Sequence, residues 1–356
     1  QCLDTPALVV DLNALERNIA TLAAFARERG LRLRPHAKMH KCAAVARLQL
    51  QAGAVGLCVQ KTGEVEALAA AGITDLYISN QVIAPPKLAR VAALARQVRL
   101  AIAVDSLLGV QRLAEALRAA GSSLDVFVEI DVGQGRCGVA PEQAGALVAA
   151  LRAAGLRFAG LQAYQGKAQH LRNPAERAAA IEQAAAAVRR ALAGLAQLGI
   201  ECPLVTGAGT GSFVHEAASG LWGELQCGSY AFMDRDYADN QPLEGAPRFE
   251  QALFVKSQVI SRGAEHAVLD AGHKSHAIDS GLPRVWGANW SVQNGGDEHC
   301  ILRGAGLPEL GATVWLVPGH CDPTVNLHDH LFAVRGGLAQ GVVEAVWRVD
   351  ARGCVS

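Results

Sequence analysis

Short apolar runs alternate with amphipathic stretches rich in alanine and leucine until about residue 242, where the pattern changes. The first long stretch, DLNALERNIATLAAFARERG (residues 11–30), repeats its apolar positions at helical spacing and stops at Gly30, a residue suited to the left-handed turn that closes helices. Strand-like runs then recur as LRLRPHAK, AVGLCVQ, DLYISNQ, VRLAIAVDS, DVFVEID, FAGLQAY, PLVTGAG and GELQCGSY. Each is followed by a helical segment such as TGEVEALAAAG or PEQAGALVAALRAAG, or by a short crossover. Eight such units predict a parallel (β/α)8 barrel rather than an open doubly wound sheet. Beyond it, ALFVKSQVISR, HAVLDAGHK, ATVWLVPGH, HLFAVRGG and GVVEAVWRVD read as strands joined by turns of Gly, Pro and Asp. The expected organisation is therefore a barrel over 10–242 and an all-β domain over 243–356, to which a strand from residues 1–9 (within PALVVDL) returns.

Composition narrows the function classes. The 356 residues are 51% hydrophobic, yet no unbroken apolar run reaches the roughly 18 residues of a transmembrane helix. A formal net charge of +0 gives no electrostatic case for nucleic acid or an anionic membrane as partner. The nine cysteines contain no CxxC pair, which fits reduced thiols without disulfides. The opening QCLDTPALVVDLNALERN, although it has the look of a clipped end, lacks the regions of a signal peptide. A cytoplasmic location is expected.

In parallel barrels the chemistry sits at the C-terminal ends of strands. RPHAKMHK (34–41) sets three cations and two histidines there. If extended, the segment puts His36, Lys38 and His40 on one face, where a desolvated lysine can serve as a nucleophilic amine; the alternative is a solvated basic turn. VTGAGTGS (205–212) offers backbone N–H groups and the hydroxyls of Thr206, Thr210 and Ser212 to a phosphate, or is an ordinary strand–helix turn. QCGSY (226–230) ends the eighth run, where such barrels often bind phosphate. DVGQGRCG brings Arg136, a permanent cation for a phenolate or carboxylate, or a surface arginine. CVQK and QAYQG bring Gln60 and Tyr164 to two further strand ends.

Late in the chain, VPGHCDPTVNLHDH places His320 and Asp322 two residues apart, on one side of an extended segment. Imidazole plus carboxylate can hold a divalent cation, and two protein ligands leave a sphere that suits Mn²⁺ or Mg²⁺ better than structural Zn²⁺. His328, Asp329 and His330 are further candidate ligands, with Glu298 or His299 behind them. The alternative is a hydrogen-bonded loop.

Taken in order, TPALVVDLNALERN, RPHAKMHKC, CVQKTGEVEAL, ISNQV, VEIDVGQGRCGV, GLQAYQG, TGAGTGS, ELQCGSYAFMDRDY, LDAGHKS, DEH and HCDPTVNLHD resemble the D-threonine aldolase and 3-hydroxy-D-aspartate aldolase family almost end to end. The resemblance implies an alanine-racemase-like barrel for pyridoxal 5'-phosphate with a C-terminal β-domain, a metal-dependent retro-aldol reaction, and a homodimer with sites near the subunit boundary. By the same resemblance Lys38 matches the Schiff-base lysine, and His320 and Asp322 match the metal pair. Gln60, Arg136, Tyr164, Thr210, Gly228 and Ser229 fall in motifs like those that contact the cofactor. Gln226 would face the pyridine nitrogen, where racemases of this fold carry arginine. D-Serine dehydratases place cysteine where Asp322 stands, so HCD favours an aldolase.

The expected reaction is reversible cleavage of D-β-hydroxy-α-amino acids, D-threonine in particular, to glycine and an aldehyde. His36 and His40 are candidates for the base that takes the β-hydroxyl proton, or for structural support. Alternatives are a 3-hydroxy-D-aspartate aldolase yielding glyoxylate, a dehydratase or racemase on the same scaffold, and a non-catalytic cofactor carrier.

Overall fold

The computed structural model describes residues 3–356, so the first two residues of the expected returning segment lie outside it. Strand β1 (Ala7–Asp11) leads directly into a helix over Leu12–Glu28. The Asp11 carboxylate caps that helix by accepting from the Ala14 amide at 3.1 Å. One apolar face of the helix, including Leu15, Ile19, Leu22 and Phe25, is buried.

Eight parallel strands follow: β2 (Arg32–Leu33), β3 (Leu57–Val59), β4 (Asp75–Ile78), β5 (Arg99–Val104), β6 (Asp125–Glu129), β7 (Arg157–Ala163), β8 (Val205–Gly207) and β9 (Glu224–Leu225). Their order is β2-β9-β8-β7-β6-β5-β4-β3. A bridge between His36 and Cys58 joins the two ends, with the Cys58 amide donating to the Pro35 carbonyl at 2.8 Å and the Val55 amide to the Leu33 carbonyl at 2.9 Å. The sheet is thereby closed into the expected barrel.

Strand alternation sorts the side chains. In β4, Leu76 and Ile78 face the outer helices while Tyr77 faces inward with Phe127 of β6. Each fully buried aliphatic side chain on the outer face contributes roughly 1.5–3 kcal/mol. The interior is partly polar: Arg34, Gln162, Thr206, Glu224 and Gln226 are all buried.

A second, nine-stranded mixed sheet is built from Leu253–Arg262 onward. β1 belongs to it, pairing antiparallel with residues 253–256 and parallel with 332–334. The strands Arg284–Val285, Ser291–Asn294 and Cys300–Arg303 are not legible in the sequence, because two to four residues are too few to show a period and Ser291–Asn294 is mostly polar. The helices Phe213–Ser219 and Arg235–Ala238 are likewise too short to show a period.

Two segments expected to be extended are helical turns instead. Ala37–Met39 is a 3₁₀ turn and Cys321–Val325 is a short α-helix. No helix among the described residues is long and apolar enough to cross a membrane. The eight described cysteines are unpaired.

Candidate active site

The 3₁₀ turn after β2 decides where its side chains go. His36 caps the turn, and Ala37 and Met39 are buried, which anchors both ends of Lys38. Lys38 therefore projects into a cavity of about 280 Å³ at the C-terminal mouth of the barrel. Its side chain keeps 43% of its accessible surface because it opens into that cavity. His36 follows it there, whereas the expected common face with His40 does not exist. His36 is still extended and lies before the turn, whereas from Lys38 onward the 3₁₀ geometry rotates successive side chains by about a third of a turn, so Lys38 and His40 diverge. The His40 ring is turned under the helix Ala43–Gln51, with Nε2 3.3 Å from Gln49 Oε1 and Nδ1 accepting from the Cys42 amide. Burial lowers its pKa to about 4, and it does not line the cavity.

The opposite wall comes from the second sheet. His320 caps the helix Cys321–Val325, whose first turn carries Asp322. Asp322 Oδ2 accepts from Lys38 Nζ at 2.5 Å, across 284 positions of sequence. Buried Asp234 fixes this approach: its carboxylate accepts from the Cys321 amide at 2.9 Å and from the Tyr237 amide at 3.0 Å. One side chain thus ties the barrel's last turn to the helix of the β-domain.

Electrostatics follow from the pairing. The Asp322 carboxylate holds the Lys38 ammonium well above the usual amine value, against the effect of burial. Burial favours the neutral form of Asp322, but Lys38 and then His320 outweigh it and bring the acid to about 2. Burial, reinforced by Lys38, pushes His36 far below the usual imidazole value, so its ring is neutral. His36 Nε2 lies 2.9 Å from Gln60 Nε2 and 3.2 Å from Ser79 Oγ.

Gln60, Arg136, Tyr164, Thr210, Gln226, Gly228 and Ser229 all line the same cavity. Arg136 stands 5.8 Å from the Tyr164 ring centroid. Burial raises the Tyr164 phenol, so it stays protonated. Two turns form a cradle. The Thr210 hydroxyl accepts from the Tyr230 amide at 3.0 Å, which ties the turn after β8 to the turn after β9 and leaves the hydroxyl proton free. A Cβ on Gly209 would come within 2.4 Å of Gln169 Oε1, and one on Gly228 within 3.0 Å of the His36 carbonyl. Ala208 takes a left-handed φ of 71°, a costly conformation for a residue with a side chain. This bare backbone and its hydroxyls fit a phosphate group, and Lys38 fits an aldehyde.

His320 is prepared for a cation. Its Nδ1 donates to Asp279 Oδ2 at 2.7 Å, which leaves Nε2 as a lone pair facing Asp322 Oδ1 at 3.7 Å. Two acceptors converging on one gap fit a divalent ion between them. The other candidate ligands lie elsewhere. His328 Nε2 meets the Ser275 carbonyl at 2.7 Å, Asp329 pairs with Arg352, Glu298 pairs with Lys274, and His299 and His330 are exposed. Among the described residues no group of three or more His, Cys, Asp or Glu side chains converges on a metal position.

Ser79, Gln162 and Tyr237 also line the cavity and were missed. Ser79 directly follows β4 and Gln162 points inward two residues before Tyr164, so the strand-end rule and alternation could have found both. Tyr237 sits on the helix Arg235–Ala238, which no strand-based signal reaches.

Comparisons with known proteins bear on the family and the fold. Residues 10–236 match the family model described as alanine racemase, N-terminal domain, and residues 252–334 match a serine dehydratase domain model. The chain is 46% identical to a D-threonine aldolase of Arthrobacter sp. over 99% of its own length and 93% of the relative's. It is 42% identical to the 3-hydroxy-D-aspartate aldolase of Paracoccus denitrificans, covering 99% and 92% of the two chains. The crystal structure of D-threonine aldolase from Filomicrobium marinum superposes with a TM-score of 0.97 at 48% identity, covering 99% and 97%. The D-threo-3-hydroxyaspartate dehydratase from Delftia sp. superposes with a TM-score of 0.87 at 29% identity, covering 97% of each.

Proposed function

The chain belongs to the family of D-threonine aldolases and 3-hydroxy-D-aspartate aldolases, carbon–carbon lyases on an alanine-racemase-like barrel, and from that premise we propose that it cleaves D-β-hydroxy-α-amino acids, D-threonine among them, reversibly to glycine and an aldehyde. The observation that carries this reading is the meeting of Lys38 and Asp322 at 2.5 Å over one cavity. It brings an amine of the barrel and an acid of the β-domain to the same substrate.

The family implies pyridoxal 5'-phosphate. When bound, that group supplies an electron-withdrawing ring that accepts the electron pair released at Cα as Cα–Cβ breaks. Lys38 would hold its aldehyde carbon, Thr210, Gly228 and Ser229 its phosphate, Arg136 its phenolate, and Gln226 its ring nitrogen, with Gln60 and Tyr164 against the remaining edges. His320 and Asp322 would hold a divalent cation, Mn²⁺ or Mg²⁺, whose chemistry there is to acidify and orient the substrate's β-hydroxyl. The Asp322 carboxylate, whose side chain is 14% exposed, would supply the negative charge that such a cation needs. His36 lines the cavity uncharged, and it is the residue we assign to taking the hydroxyl proton. His40 is given no catalytic part. The reading includes a cytoplasmic homodimer with no nucleic-acid or membrane partner.

A second reading, cleavage of 3-hydroxy-D-aspartate to glycine and glyoxylate, is favoured by the 42% identity to a 3-hydroxy-D-aspartate aldolase. Product analysis on L- and D-β-hydroxy amino acids, with and without Mn²⁺, tests both. Glycine and acetaldehyde from D-threonine are expected. Ammonia and a keto acid would instead reveal a dehydratase, inversion at Cα a racemase, and undiminished turnover after exhaustive chelation would remove the role given to His320 and Asp322.

A further inference from the structure

We propose that Thr206, backed by the ion pair of Glu224 with Arg34, is a positioning residue that fixes which way the Gln226 amide faces, so that the site selects a cofactor whose ring nitrogen carries a proton. This rests on the assignment of Gln226 to that nitrogen. The polarity begins at Glu224, which lies inside the barrel with both carboxylate oxygens 3.3 Å from Arg34 Nε and Oε2 3.1 Å from Arg32 Nε. A carboxylate paired with two guanidinium groups can only accept hydrogen bonds. The Thr206 hydroxyl, 2.9 Å from Glu224 Oε1, therefore spends its one proton there.

Its oxygen can then only accept from Gln226, 2.8 Å away, and Gln226 must present Nε2 to it. The second N–H of Gln226 goes to Gln162 Oε1 at 2.8 Å, an oxygen that also accepts from the Tyr77 hydroxyl at 2.8 Å. Gln162 returns an N–H to Gln226 Oε1 at 3.1 Å. Both N–H groups of Gln226 are thus committed, and what remains for a ligand is one lone pair on its oxygen.

Thr206, Gln226, Gln162, Tyr77 and Glu224 are each 0–3% exposed, so water is not at hand to satisfy a reversed amide. Turning Gln226 over would set oxygen against oxygen at Thr206 and N–H against N–H at Gln162, leaving buried polar groups unpaired. A lone pair on the Gln226 oxygen recognises a donor, which the ring nitrogen becomes when protonated. An arginine at the same place would offer donors only and favour the unprotonated ring. A protonated ring withdraws electrons more strongly, which suits a reaction that releases an electron pair at Cα.

The test is nitrogen NMR of the holoenzyme reconstituted with ring-¹⁵N pyridoxal phosphate, followed from mildly acidic to mildly alkaline pH. In the wild type the resonance should stay at the protonated position throughout. Thr206→Val should let it titrate within that range, with kcat lowered on the order of tenfold and KM nearly unchanged; Thr206→Ser should restore both. A bound but unprotonated cofactor in the wild type overturns this inference alone, and that measurement decides it even should Thr206→Val not fold. An unchanged protonated resonance in folded Thr206→Val overturns the part given to Thr206. A wild-type protein that retains no cofactor overturns this inference together with the reading beneath it.

Discussion

Arg34 and Lys38 stand in one basic segment, RPHAKMHK, but meet opposite surroundings. Arg34 is 6% exposed inside the barrel, and both Glu224 and Asp75 contact its guanidinium. Burial works against its charge, and those two acids outweigh it. Lys38 has one acid partner, Asp322, and otherwise faces a cavity. The difference shows what separates a scaffold cation from a reagent. A charge pinned by two anions in a filled interior has nowhere to go, while one held at a single contact beside open space can change partners.

Removing each cation in turn should separate the two roles. Lys38→Ala is expected to lower turnover by at least about 10³-fold, given the usual weight of a covalent anchor, and to abolish the visible absorbance of lysine-bound cofactor. Retained activity would refute its assignment. Arg34→Met should act on folding: it leaves buried Glu224 with Arg32 as its one remaining cationic partner, a loss of about 3 kcal/mol, read as a lower midpoint in urea. If Arg34→Met unfolds no more easily than wild type, the interior pair is not a scaffold.

Smaller effects sharpen the contrast on the acid side. Asp322→Asn should cost on the order of 10²-fold in turnover and remove stimulation by Mn²⁺ while the cofactor stays bound. Metal stimulation that survives would place the cation elsewhere. The smallest effect concerns Glu216, a buried acid that, unlike Glu224, has no cationic partner among the described residues; its Oε1 accepts from Ser212 Oγ at 2.8 Å and its other oxygen meets no donor among them. Burial raises it from 4.5 to about 7, against the Ser212 bond. A raised acid favours its proton in the folded state, so the penalty of ionising it is absent below about 4.5, grows as pH rises, and is complete above about 7. Glu216→Gln should therefore match wild type in acid and exceed its stability above about pH 7 by up to ~2 kcal/mol. Thermal melts of the two proteins that run parallel across this range would contradict it.

Much of the barrel was legible because a parallel strand buried on its outer face announces itself by a short apolar run, and eight such runs with crossovers leave few other architectures. Local turns were not. RPHAKMHK and VPGHCDPT read as extended by residue alternation, yet each closes into a helical turn whose cap is a histidine. Alternation cannot tell a strand from a single turn over three or four residues, which is why His40 was grouped with Lys38. The chain likewise carried Lys38 and Asp322 as isolated residues, and their contact is made by packing between two sheets and by Asp234, for which periodicity holds no signal. Gln162 shows the opposite case, a residue that alternation could have placed and that was passed over beside the more conspicuous Tyr164.

The barrel has a seam, where the bridge between His36 and Cys58 and the bond from the Val55 amide to the Leu33 carbonyl join its first and second strands. The reactive amine rides on that seam, two residues beyond the bridge. The turn that carries the lysine is tied on its other side to β9, where the His36 amide donates to the Cys227 carbonyl, and to the β-domain, where Lys41 Nζ donates to Asn326 Oδ1 at 2.9 Å. Three neighbours thus hold the amine in place, the strand on either side of it and the sheet above, and its aim survives the loss of any one contact better than a lysine on a free loop would.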